Sequence, residues 1–163
     1  MGCILRANGE NFGVDDFLNQ TALIPCNVYR KGEPKFPGNK KICKTSGLSI
    51  NVSDAEFSDL QGQIQEATAF LKICKSEIRA LCQYAGVEDV CLDFGIEQRD
   101  DAIVQFEYFP PTLITLAGRL GLGLEISFYP SAENRNQILR KIDRKIAQDK
   151  KKKVKTIATR KRP

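Results

Sequence analysis

Histidine and tryptophan are absent from the 163 residues, and methionine occurs once. Without histidine the chain has no imidazole base, so Ser–His and Cys–His nucleophilic pairs and His-based zinc sites are excluded. Catalysis would have to rest on carboxylates, lysine, tyrosine or a lone cysteine. No run of about 18 apolar residues that could span a bilayer is present. The opening Met1-Gly2-Cys3-Ile4-Leu5-Arg6 also lacks an apolar stretch of signal-peptide length, so a soluble, intracellular, cytoplasmic chain is expected. Met-Gly-Cys invites an acylation reading, but the myristoylation pattern calls for Ser or Thr where Arg6 stands. The plainer reading is a first strand over Cys3-Ile4-Leu5-Arg6-Ala7. The six cysteines, Cys3, Cys26, Cys43, Cys74, Cys82 and Cys91, include no C-x-x-C pair and sit in apolar surroundings, which marks them as small buried hydrophobes. No cofactor and no metal site is expected.

Charge is plentiful and unevenly placed. Residues 134–163 hold 13 of the 25 Lys and Arg but only Asp143 and Asp149 of the 20 acids, so the tail stands at +11. The remaining 12 basic and 18 acidic residues leave positions 1–133 at −6. A cationic arm on an acidic body points to contact with an anion: nucleic acid, a membrane surface or an acidic protein. Three parts are expected: one α+β domain over 1–130, an amphipathic basic helix over 131–149, and a basic disordered tail over 150–163.

Periodicity and breakers predict the elements. Ile4–Ala7 reads as a strand; Asp15 and Asp16 sit at the start of a short helix through Phe17, Leu18, Thr21 and Ala22. Cys26-Asn27-Val28-Tyr29-Arg30 alternates as a half-buried strand. Gly32 to Gly47, with Pro34, Pro37 and four lysines, reads as a loop. Leu48–Val52 alternates again, and Ser53-x-x-Glu56 offers a capping box to one long helix through Leu60, Ile64, Ala67, Leu71, Cys74, Ile78, Leu81 and Cys82. Val90–Ile96 and Ile103–Phe109 read as a hairpin across Gln98–Asp101. Pro110-Pro111 opens a helix that Gly121 stops, and Leu124–Tyr129 closes as a strand. The expected order is β-α-β-β-α-β-β-α-β. Its two ends look alike, which suggests a pseudo-duplicated α+β domain: a mainly antiparallel sheet with helices on one face.

Four segments carry a resemblance: Phe12-Gly13-Val14-Asp15-Asp16-Phe17, Val28-Tyr29-Arg30-Lys31-Gly32-Glu33-Pro34, Ser46-Gly47-Leu48-Ser49-Ile50, and Leu116–Leu122 leading into Ile126-Ser127-Phe128-Tyr129. Together they resemble the bacterial domain of unknown function 4279 family over roughly residues 3–130. Members often carry Trp where Leu48 and Ile50 stand here. The resemblance implies this architecture, no established enzyme activity, and an immunity role by analogy with relatives encoded beside secreted toxins.

The sharpest candidate site is the partner-binding cluster Tyr29, Arg30, Lys31 and Glu33, where a strand end carries two cations into a Gly-Pro turn suited to a carboxylate or phosphate. The plainer reading pairs Arg30 with a surface acid. Asp93, Glu97, Asp100, Asp101, Glu107 and Glu125 could serve acid–base work or a cation, but their spacing fits no metal motif, and alternation assigns Asp93 and Glu107 to solvated faces. Leu120-Gly121-Leu122-Gly123-Leu124 follows a helix and enters a strand, the reverse of a phosphate loop, and reads as a helix stop. Ser131 caps a last helix whose stripe of Ile138, Leu139, Ile142 and Ile146 is flanked by Arg140, Lys141, Arg144 and Lys145. Beyond it, the anion-binding candidates are Lys150, Lys151, Lys152, Lys153, Lys155, Arg160, Lys161 and Arg162. No aromatic residue follows Tyr129, so the tail has nothing to stack on bases. The leading expectation is a non-catalytic protein-binding module, most concretely an immunity protein that neutralises a cognate toxin. The alternative is a nucleic-acid accessory protein working through its tail; an enzyme is the least supported.

Overall fold

Alternation in Cys3–Gly9 buries Cys3, Leu5 and Ala7 and leaves Ile4, Arg6 and Asn8 half-buried, so this strand, β1, has one face on the core. In the computed structural model, residues 2–36, 38, 40–99, 103–131, 133–134 and 139–142 are described. After β1 come α1 (Val14–Leu18), β2 (Asn27–Tyr29), β3 (Ser46–Ser53), α2 (Leu60–Ile73), α3 (Lys75–Cys82), β4 (Asp89–Glu97), α4 (Pro111–Leu120) and β5 (Gly123–Tyr129). The strands form one sheet in the order β2-β3-β1-β4-β5. Every neighbouring pair is antiparallel except β4 with β5, which is parallel. The α+β class and the mainly antiparallel sheet expected from the sequence are both present. No helix among the described residues is long and apolar enough to cross a membrane.

Leu5, Leu48, Leu92 and Phe94 on the sheet join Ile64, Leu71, Ile78, Leu81 and Leu113 on the helices in one buried cluster. Burying each such side chain contributes about 1.5–3 kcal/mol, which makes this layer the main source of stability. Pro111 lies in the first turn of α4, where its missing N–H costs nothing. Gly121 ends the helix in the left-handed region at φ 81°, and Leu122 N–H donates to the Ala117 carbonyl at 3.0 Å. The Gly-Leu-Gly segment is thus a helix stop, as read.

Four expectations need correction. The long helix is two, because Cys74 leaves helical geometry at φ −94°, ψ 26°. Ile78 N–H still donates to the Cys74 carbonyl at 2.9 Å, so the apolar spacing runs on across the bend and reads as a single period. The cap of α2 is Asp59, whose Oδ1 accepts from Gly62 N–H at 2.9 Å, and not Ser53, whose Oγ accepts from Ala55 N–H at the end of β3. Residues 103–109 form no strand: β4 has β1 on one edge and β5 on the other, which leaves no edge for a hairpin mate. The order is therefore β-α-β-β-α-α-β-α-β, and the likeness between α1–β2 and α4–β5 does not extend to pairing, since β2 is antiparallel to β3 while β5 is parallel to β4.

Met1–Glu97 and Val104–Tyr129 form one compact unit, which holds the whole sheet. The described residues of Gln98–Ile103 and Pro130–Pro163 belong to a second. Within that second unit Ser131 Oγ accepts from Asn134 N–H at 3.2 Å, the expected cap, and Leu139 and Ile142 lie exposed on a helical turn. Ile138, Ile146 and the rest of the basic stripe lie outside the described residues, as does the whole tail 150–163.

Candidate functional site

The strand register aligns the chemistry on the face of the sheet opposite the buried cluster. Ile4 pairs with Asp93 and Asp93 with Glu125; one step along, Arg6 pairs with Cys91. The Arg6 guanidinium donates to Glu125 and stands 3.5 Å from Asp93 Oδ2, so one cation serves two carboxylates. Burial opposes the Arg6 charge, yet Glu125 and Asp93 more than offset it and leave the guanidinium pKa raised. The hydrogen bond from Arg6 holds the Glu125 carboxyl below its ordinary range. Burial pushes the Cys91 thiol up against the opposing pull of Arg6, and burial with the neighbouring Asp93 charge pushes Cys3 up further.

Asp93 corrects the sequence reading most sharply. Alternation assigns it to a solvated face, but it is only 6% exposed, and its Oδ1 is buried without a hydrogen-bond donor. Beside it lies a hollow of about 350 Å³ lined by Gly2, Ile4, Phe57, Asp93, Gly95 and Tyr129. Phe57 reaches it from the loop before α2, whose carbonyl accepts from Glu97 N–H at 2.9 Å, and stacks on Tyr129 with ring centroids 4.3 Å apart and planes 2° from parallel. A Cβ at Gly95 would come within 2.6 Å of the Phe57 ring and 3.1 Å of Tyr129, so glycine there lets both rings lie against β4. The signal in the sequence was a lone acid in the otherwise apolar run Val90–Ile96, the mark of a strand covered on both faces.

The last strand exposes a different chemistry. Leu124, Ile126 and Phe128, at 39%, 40% and 58% exposure, form a row along β5, and no described strand pairs with its outer edge. The segment before α4 repeats this pattern: Val104, Phe106 and Tyr108 are exposed, while Phe109 turns in against Phe94 with ring centroids 5.0 Å apart. A second hollow, of about 440 Å³, includes Thr68, Lys72, Leu116 and Arg119 of α2 and α4 in its lining.

The cluster of Tyr29, Arg30, Lys31 and Glu33 lies at the opposite edge of the sheet, on and after β2. Arg30 is bidentate to Asp15, at 2.8 and 2.5 Å, with Glu33 3.8 Å away, and Lys31 Nζ donates to Glu10 at 2.8 Å. Arg30 thus pairs with a surface acid, as the plainer reading had it, and Lys31 is matched within the chain as well. Tyr29 packs over Gly47. Among the acids, the structure brings Asp93 and Glu125 together through Arg6. Glu107 accepts from Gln105, and Asp100 and Asp101 lie outside the described residues. No group of three potential metal-ligating side chains occurs among the described residues. Lys150–Lys153, Lys155 and Arg160–Arg162 lie outside them too. All six cysteines are free: Cys3, Cys43 and Cys91 are buried as expected, whereas Cys74 and Cys82 are only half-buried and Cys26 is exposed, against the expectation. No family model, curated protein or solved structure matches the chain.

Proposed function

We propose that this chain is a non-catalytic protein-binding module that recognises its partner along β5. The observation that carries this reading is the row Leu124, Ile126 and Phe128 on an edge with no described neighbour. Natural edge strands are blunted by lysine, proline, bulges or brevity. β5 runs seven residues with none of these, and its one charge, Glu125, is paired with Arg6. Such an edge suits strand addition, in which main-chain hydrogen bonds give affinity and alternate side chains give selectivity. The occupant is an extended segment of a basic protein, because positions 1–133 carry −6 and complementary potentials speed encounter. Neutralising a cognate basic toxin in a bacterial cytoplasm is the most concrete form of this role, in line with the resemblance to the domain of unknown function 4279 family. The Tyr29–Glu33 cluster, with its cations internally paired, becomes a secondary contact at the far edge.

The test is capture from the native host followed by reconstitution from purified components. Phe128→Lys places a cation in the apolar row and abolishes the reconstituted complex at a stability cost of about 1 kcal/mol or less. Deleting residues 147–163 leaves the complex intact. Binding that tolerates Phe128→Lys, or that vanishes with the tail, overturns the proposal. The +11 of residues 134–163 favours a second reading, nucleic-acid binding. Under it, affinity for random duplex falls with salt at a log–log slope of about −0.9 per phosphate contacted, and the truncation removes it. A slope near zero dismisses that reading.

A further inference from the structure

Asp93 carries a carboxylate to a position only 6% exposed, where Oδ1 has no donor and the nearest cation, Arg6, stands 3.5 Å from Oδ2. Leaving such an acceptor without a donor is costly, and more so for a charged group. Arg6 does not make good the deficit: its guanidinium donates to Glu125, and its contact with Asp93 is to Oδ2, not Oδ1. Two carboxylates against one guanidinium leave this corner of the sheet with an excess of negative charge. Directly beside it the hollow is otherwise apolar, walled by Ile4 and the stacked Phe57 and Tyr129. Its volume of about 350 Å³ falls within the range of small-molecule sites.

The geometry points to a binding site for a small organic cation in this hollow: a protonated amine or guanidinium set against Asp93, its flat apolar body laid along Ile4 and the Phe57–Tyr129 pair. Each part of the lining has a role. The cation supplies the donor that Asp93 lacks, and a ring face attracts the same charge through its quadrupole. An anion meets Asp93 and Glu125 and is repelled. A hydrated metal ion finds one carboxylate here, since Gly2, Ile4, Phe57 and Gly95 offer no ligating side chain. The site is independent of the apolar row proposed for protein recognition and shares with β5 only Tyr129, which lines it, and Glu125, which competes for Arg6.

The experiment is an NMR and calorimetric titration of the full chain with phenethylamine, with 3-phenylpropionate as the anion of matched shape. The amine binds saturably at one site and shifts the amides of Ile4, Asp93 and Gly95, while the carboxylate does not. Asp93→Asn, which keeps the shape and removes the charge, weakens amine binding about ten- to a hundredfold. Tyr129→Leu, at a partly exposed position on the edge strand, weakens it about three- to tenfold and keeps the proposal testable should Asp93→Asn not fold. Equal binding of amine and carboxylate, indifference to both substitutions, or shifts confined to other residues would each overturn the assignment.

Discussion

The side-chain amide of Gln63 donates to the carbonyl of Gly95 at 2.8 Å and to that of Glu56 at 2.9 Å, from a position with no solvent exposure. A single α2 residue thereby fastens the helix to β4 and to the loop that carries Phe57, and so fixes the wall of the hollow beside Asp93. Gln63→Leu, nearly isosteric, leaves both carbonyls without this donor. The expected loss is about 1–3 kcal/mol in chemical denaturation, moderated because Gln63 Oε1 has no donor of its own. Gln63→Glu introduces a buried charge and costs more. Equal stability of wild type and Gln63→Glu would contradict this arrangement.

The ion pairs at the β2 edge give the protein an acid-sensitive contribution. Hydrogen bonding from Arg30 holds the Asp15 carboxyl below its ordinary range, and Lys31 does the same for Glu10. A carboxylate whose folded pKa is depressed adds stability above its unfolded value, and that stability is lost as the pH falls through the folded value. The window therefore lies on the acid side, below about pH 4. Arg30→Gln returns the Asp15 titration to the usual carboxylate range, read by NMR of its side-chain carboxyl. An unchanged midpoint would show that Arg30 does not hold Asp15 in solution.

Burial sorts the thiols by reactivity. Cys26 is exposed, with its Sγ donating to the Ser49 carbonyl at 3.3 Å, whereas burial raises the pKa of Cys3, Cys74, Cys82 and Cys91. Only the thiolate reacts, so a raised pKa and a covered sulfur both slow alkylation at neutral pH. Timed treatment with iodoacetamide, followed by peptide mass spectrometry, should label Cys26 first and Cys3 last. Early labelling of Cys3 would mean that β1 opens at its end.

Strands β1, β3 and β5 and helix α4 were legible because each carries its period between strong breakers, as with Leu48–Val52 after the lysine-rich loop or Leu113–Leu120 between Pro111 and Gly121. The misreadings share a cause: local pattern is silent about what the tertiary fold sets beside an element. Ile103–Phe109 has the alternation of a strand, but β5 occupies the edge it would need. The bend at Cys74 hides in an apolar spacing that suits one helix or two. Counting alternate positions assigns Asp93 to solvent, a rule that fails where Phe57 and Tyr129 cover the outer face of β4. The pairing of Arg30 with an acid was foreseeable; that Asp15 would be the mate depended on the tertiary fold.

The segment before α4 offers a test of that last distinction between pattern and packing. Phe109 sits edge-on to the fully buried Phe94, while Phe106 three residues earlier is 84% exposed. Both are phenylalanines in one extended stretch, so helix and strand propensity do not separate them. Phe109→Ala removes partly buried apolar area and the aromatic contact, for an expected loss of about 1–3 kcal/mol. Phe106→Ala removes exposed area and should change stability by about 0.5 kcal/mol or less. Gln105 ties the stretch to β4 by donating to the Glu97 carbonyl at 3.0 Å, so a loosened segment after Phe109→Ala should appear as faster amide exchange near Glu97. Equal losses for the two substitutions in urea denaturation would mean that Phe106 is covered in solution, and that the ladderless strand has found an edge of its own.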